Sequence, residues 1–158
     1  MSTPPRPPLF DFEADFARDL RCIPMAVRRK LDLAGVKLKL VQWHGLEGAE
    51  RERLLAWPDD AAAIAALREW LLERSVRLPE GPAKAMEPAR GTAWQAEGGE
   101  WPEAVLRSCA ELDLTVRAEG WRGLDELRRF ALLKLAHPGH EHRNLPRALA
   151  EFDLLAPR

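Results

Sequence analysis

The stretch IPMAVRRKLDLAGVKLKLVQWHGLEGAERERLLAW, Ile23 to Trp57, recurs without a gap 78 residues later as WPEAVLRSCAELDLTVRAEGWRGLDELRRFALLKL, Trp101 to Leu135. Ten of the 35 columns are identical: Pro24/Pro102, Ala26/Ala104, Val27/Val105, Arg29/Arg107, Trp43/Trp121, Gly45/Gly123, Leu46/Leu124, Arg51/Arg129, Leu54/Leu132 and Leu55/Leu133. A chain of this composition gives roughly three by chance, and the excess marks an internal repeat. Two copies are too few for a solenoid. Each unit is therefore expected to bury its apolar face against the other, within one domain whose shared core contains Trp43 and Trp121. Duplication also argues against an enzyme, because chemistry is rarely needed twice.

Local patterning gives each copy the same order of elements. Pro24 suits the first turn of a helix with Val27 and Leu31 inward, ended by Gly35 in a left-handed conformation. Pro102 does the same for Val105, Cys109 and Leu112. Both helices lead into alternating stretches, Val36 to Leu40 and Leu112 to Val116, that read as short strands or extended links. The two are expected to pair with each other as a small ribbon. A Trp-x-Gly-Leu turn follows at Trp43 and Trp121, then an acidic residue, Glu47 or Asp125, suited to the positive end of the next helix. The fold class expected is mainly α: a single domain of two pseudo-repeated helix–link–turn–helix units, with a short two-stranded β ribbon as an option.

Outside the copies, residues 1–9 read as a disordered, proline-rich leader and residues 10–158 as the helical domain. Phe12, Phe16 and Leu20 share one face of a short helix that Asp11 is placed to cap. Asp59-Asp60 start a helix carrying Ile64, Leu67 and Leu71 on one side, with Trp70 beside them, and Pro79 bounds it. Residues 78–100, rich in proline and glycine, read as a flexible connection. Asn144 is placed to cap a last helix with Leu145, Leu149 and Phe152 inward.

A length of 158 residues suits one domain. With 24 basic against 25 acidic residues and a net charge of -1, the chain has no bulk field to draw nucleic acid or an anionic membrane. DNA binding by helix-turn-helix-like units is disfavoured on the same ground. No apolar run approaches the roughly 18 residues of a membrane span, and the N-terminus lacks a secretory core, so a cytoplasmic location is expected. Cys22 and Cys109 fit a reducing compartment and lack metal-ligand spacing.

Two stretches carry a family likeness: Phe12 to Phe16 through Leu20 to Arg28, and Arg129 to Leu135 through Pro138 to Glu141. They resemble the conserved nitrate reductase-associated protein family, and the likeness runs on through Lys30-Leu31-Asp32, Gly35, Lys37-Leu38, Trp43, Asn144, Ala148-Leu149 and Glu151-Phe152. The resemblance implies an accessory or assembly protein that binds an assimilatory nitrate reductase and supports its activity or maturation. It implies no reaction, and no catalytic residue or cofactor is carried over; neither nucleic acid nor membrane is expected as partner, on the charge and hydropathy above.

Within these motifs Arg21, Arg28, His140, Glu141 and Asn144 are the partner-binding candidates, because a core would not require such polar groups. Trp43, Trp121, Arg51 and Arg129 are the structural anchors of the repeat, the arginines being placed to bind the turn carbonyls or an acidic patch. Trp57, Trp70, Trp94 and Trp101 stand outside the identical columns and are open to interface roles; Trp94, in the connection, has the least structural reason to exist. Cys22, beside Arg21, reads as a small buried hydrophobe rather than a reactive thiolate. An alternative function is metal handling by the His137 to His142 loop, where His137, His140, Glu141 and His142 offer imidazole and carboxylate ligands.

Overall fold

The computed structural model describes residues 9–17, 19–137 and 143–157, and is mainly α-helical. The proline leader and the Phe16 side chain lie outside what is described. The chain divides into two compact units. The first includes Leu9 and Glu13–Arg90; the second joins Phe10–Phe12 to the chain from Gly91 onward. The earlier repeat copy falls in the first and the later copy in the second.

Helix α1 (Asp11–Ala17) opens the chain, and Asp11 is its first residue rather than its cap. In the first unit, Glu13 of α1 is buried, and its carboxylate accepts the Met25 N–H at 3.0 Å, serving helix α2 (Met25–Ala34). The cap residue of α2 is Pro24, at φ -64. A proline there has no N–H to leave unpaired, so the next free amide is the one Glu13 takes. Met25, Val27, Lys30, Leu31 and Ala34 form the buried stripe of α2. Gly35 ends it at φ +74, donating to the Leu31 and Asp32 carbonyls. A Cβ there would lie 2.4 Å from the Met86 carbonyl oxygen, so both the backbone angle and the close approach demand glycine.

That approach creates the sheet. Strand β1 (Val36–Lys37) pairs antiparallel with β2 (Lys84–Ala85), Val36 opposite Ala85 and Lys37 opposite Lys84. The expected pairing of the two alternating stretches is thus corrected. The partner comes from the connection after helix α5 (Ala61–Ser75), and Val116 instead bridges to Leu155. Arg68 of α5 fixes the choice by donating to the carbonyls of Ala34, Gly35 and Met86 at 2.9, 2.9 and 3.0 Å. Residues 78–100 are also corrected: they supply β2 and the buried Leu78, Ala83 and Trp94.

Helices α3 (Leu40–Gly45) and α4 (Gly48–Ala56) follow β1. Helix α2 packs on α4 and α5 over a core of Val27, Leu31, Leu54, Leu55, Leu67 and Leu71. Asp60 caps α5 through the Ala63 N–H. A half-buried ion pair, Glu50 to Arg74 at 2.6 and 3.0 Å, ties α4 to α5 and holds the Glu50 carboxyl below its usual range.

The second unit contains α6 (Glu103–Glu111), a 3-10 turn (Gly120–Gly123), α7 (Glu126–Leu135) and α8 (Leu145–Glu151). Helix α7 packs on α6 and α8 around Val105, Phe130, Leu132, Leu145 and Leu149. Phe10 stacks against Phe12 and meets Phe152 edge-on. Glu151 accepts the Asp11 and Phe12 N–H groups at 3.0 and 2.9 Å, and so performs the capping expected of Asp11. Asn144 stands at the start of α8 in an αR conformation, and its side chain makes no cap hydrogen bond, so the capping expected of it is absent. An N-cap side chain reaches the amides from extended backbone, which this conformation denies it.

Candidate partner-binding surface

The repeated tryptophans are buried, Trp43 in the first unit and Trp121, packed on Trp101, in the second. Trp43 is fully buried in α3, and its indole N–H donates to the Leu20 carbonyl at 2.7 Å. Its neighbour His44 places Nε2 2.6 Å from the Arg21 carbonyl. Both contacts grip the loop between α1 and α2, where Leu20 is forced to φ +60, a left-handed conformation unusual for a branched side chain. Leu20 is itself buried, so the loop is pinned from inside and its next residue is turned out.

That residue is Arg21, whose side chain is 70% exposed and pairs with Asp19 at 3.0 Å. Burial pushes the Asp19 carboxyl upward, but the Arg21 backbone N–H and guanidinium outweigh this and leave it below its ordinary value. The loop thus presents a solvated Arg–Asp pair on backbone held by Trp43 and His44. Arg28 lies one helical turn into α2, half-buried, with its guanidinium 4.0 Å from the Met25 sulfur. Cys22, between them, is half-buried rather than buried, and both cysteines are free thiols; burial pushes the Cys109 thiol up.

Arg21 and Arg28 therefore belong to the first unit and flank the start of α2, whereas half-buried Asn144 belongs to the second. His140 and Glu141 lie outside the described residues, as does most of the His137 to His142 loop. Exposed His137 is its described member, and no group of three metal-ligating side chains occurs among the described residues.

The anchoring arginines bind backbone carbonyls. Arg51 donates to the carbonyls of Trp43, His44 and Leu46 at 3.2, 3.1 and 2.9 Å, closing the turn between α3 and α4. Arg129 donates to Leu124, the counterpart of Leu46, and at 2.9 Å to Trp94. Trp94 is accordingly buried, edge-on to Phe130 at 5.1 Å, and the interface role left open for it is corrected. Trp101 is buried as well, 5.5 Å from Trp121 with its N–H on the Arg117 carbonyl.

Trp57 and Trp70 differ. Their rings are half-buried and 5.7 Å apart, with the Arg53 guanidinium over both at 4.8 and 5.1 Å. Arg53 escaped the sequence reading. Its four-residue spacing from Trp57, the residue that caps α4, was the available signal, since i,i+4 neighbours meet on a helix.

Residues 9–152 match the family described as conserved nitrate reductase-associated protein. The chain belongs to this family. No curated protein and no solved structure matches it. The match spans both units and includes the loop at Arg21, the Arg53–Trp57–Trp70 stack and Arg129. Among the described residues no helix is long and apolar enough to cross a membrane.

Proposed function

We propose that this member of the nitrate reductase-associated family is a non-catalytic cytoplasmic accessory protein that binds an assimilatory nitrate reductase and supports its activity or maturation. The observation that carries the reading is the loop at Arg21: an exposed arginine on a backbone clamped by Trp43 and His44. Rigid mounting reduces the entropy lost on docking, which is how an exposed charge becomes worth its place in an interface. Arg21 and Arg28 contact the partner in this reading, with Asn144, His140 and Glu141 as further contacts.

The test is a binding measurement between the full chain and purified reductase, in apo and holo forms. Arg21→Ala should weaken binding at least about tenfold, the loss expected on truncating a partner-facing charged hydrogen bond, while leaving the melting temperature unchanged. No binding of either reductase form to the wild-type chain would end the proposal.

A further inference from the structure

The second unit contains a cleft of about 460 Å³ walled by Gln95, Glu97, Arg122, Asp125, Glu126 and Arg129. One of its lining side chains, Arg129, is a cation with no ion-pair partner among the described residues. Arg129 is 4% exposed, and its guanidinium spends one N–H on the Trp94 carbonyl and one on the Leu124 carbonyl. A guanidinium carries five N–H donors, so three are left with no acceptor among the described residues. Buried donors on a charged group are costly to leave unmet, and they mark places where something else supplies the acceptor.

The neighbouring carboxylates do not supply it. Asp125, four residues before Arg129, has both its oxygens held by Arg128, at 2.9 Å from the backbone N–H and 2.6 Å from the guanidinium. None of the carboxylates on the wall forms an ion pair with Arg129. Arg122, exposed on the same wall, likewise has no ion-pair partner among the described residues. Two cations without an ion-pair partner among the described residues thus line one polar space. The earlier copy makes the contrast: Arg51, the counterpart of Arg129, has three carbonyls to bind, because α3 turns those of Trp43 and His44 toward it. In the later copy α3 is replaced by a 3-10 turn, and of those three carbonyl positions Arg129 keeps the one at Leu124.

We propose that this cleft is a binding site for a small monovalent oxyanion with a planar head, a carboxylate or nitrate, held by Arg129 and Arg122. The guanidinium fork matches a planar two-oxygen edge bidentately. Glu97 and Glu126 set the charge limit. With carboxylates on the same wall, a polyanion meets repulsion that a single negative charge avoids, so phosphate and polyphosphates are poor ligands here. The site does not depend on the reductase-binding reading, and its test uses the full chain alone.

The experiment is a titration of the full chain with sodium acetate, sodium nitrate and sodium phosphate at constant ionic strength, following the arginine side-chain N–H resonances by NMR. Acetate or nitrate should shift the Arg129 Nε–H signal saturably, and phosphate should not. Arg122→Gln, an exposed position that costs no fold contact, should weaken the anion about tenfold, the scale of one charge-assisted hydrogen bond, with an unchanged melting temperature. Arg129→Lys, provided that it melts as a folded protein, should abolish the saturable shift. A linear, unsaturated response to all three anions, or saturation unchanged by Arg122→Gln, overturns the proposal. So does tighter binding of phosphate than of acetate and nitrate.

Discussion

The stretches 23–57 and 101–135 both begin and end on helices but differ between them, and the differences are instructive: β1 and α3 lie between α2 and α4, an isolated bridge at Val116 and a 3-10 turn between α6 and α7. Helix α2 spans Met25–Ala34 and α6 spans Glu103–Glu111; α4 spans Gly48–Ala56 and α7 spans Glu126–Leu135, each pair offset by 78 residues at its start. Left-handed backbone recurs at the same offset, at Gly35 (φ +74) and Asp113 (φ +57). Buried polar donors recur too. Lys30 of α2 donates to the Leu54 and Leu55 carbonyls at 3.1 and 2.7 Å, at the end of α4, while its counterpart Ser108 of α6 donates to the Ala136 carbonyl at 2.7 Å, at the end of α7. Both bond carbonyls at the C-terminal end of a helix, where the intrahelical pattern runs out. Repeated positions therefore serve the backbone, and what is particular to each unit lies in the unlike columns.

The largest expected effects test whether the copies form one domain, as the repeat leads one to expect. Trp43→Ala and Trp121→Ala should each cost about 3 to 5 kcal/mol, the range for deleting a large buried aromatic. If the chain is one cooperative domain, calorimetry shows a single transition that both substitutions lower. Two transitions, each moved by one substitution alone, would break the shared-core reading. Next comes the left-handed pair. Gly35→Ala should cost at least about 2 kcal/mol, because it adds steric conflict with the Met86 carbonyl to an unfavourable angle. Asp113→Gly should instead be neutral or stabilise by up to about 1 kcal/mol, since it relieves the same angle. Equal and opposite changes of similar size would show that the angle alone matters and that the Met86 approach does not.

These contrasts explain what the sequence made legible. Helix existence was readable because Val27, Leu31, Val105 and Cys109 repeat at helical spacing, and the Trp–Gly–Leu turn announced its own recurrence. Strand pairing was not readable. Ala83 to Met86 carries no strand signal, and its place beside β1 is set by Gly35 and by Arg68, which lies 33 residues from Gly35 and 18 from Met86 and bonds the carbonyls of both. The caps were misread for a related reason. Asp11 has the chemistry of a local cap, but Glu151 and Glu13 reach in from elsewhere in the chain, and no local pattern reports that. At the candidate surface, the exposed Arg21 could be chosen from its polarity. Its mount could not, because the bond from the Trp43 indole to Leu20 spans 23 residues.

Lys30 sharpens the comparison through pH, with a smaller effect. Burial lowers its ammonium from 10.5 to about 8; Asp59 opposes this and Arg29 adds to it. Between those two values the unfolded chain holds the proton and the folded chain does not, so unfolding free energy rises with pH across that window. The cost of burying the charge is fully present below about pH 8 and is relieved as pH climbs toward 10.5. A neutral amine keeps two N–H groups, enough for both carbonyls. Relative to Lys30→Met, which cannot titrate, the wild type should gain about 1 to 3 kcal/mol between pH 7 and pH 10 in denaturant titrations. The copy with Ser108 offers the control, since Ser108→Ala should shift stability by the same amount at both pH values.

The smallest stability effect belongs to the proposed contact itself. Arg21→Ala removes a guanidinium that is 70% exposed and an ion pair with Asp19 that water largely screens, so the change in unfolding free energy should stay within about 0.5 kcal/mol. Trp43→Phe separates the mount from the contact. It retains most of the packing but loses the hydrogen bond to the Leu20 carbonyl, which costs about 1 kcal/mol and frees the loop to leave its left-handed conformation. If the loop is a docking element, both substitutions weaken reductase binding, Arg21→Ala by removing the charge and Trp43→Phe by raising the entropy lost on docking. Full binding by Trp43→Phe alongside lost binding by Arg21→Ala would show that the charge acts without its rigid mount. Full binding by both would move the interface away from this unit's loop and leave the Arg53–Trp57–Trp70 stack as the next surface to mutate.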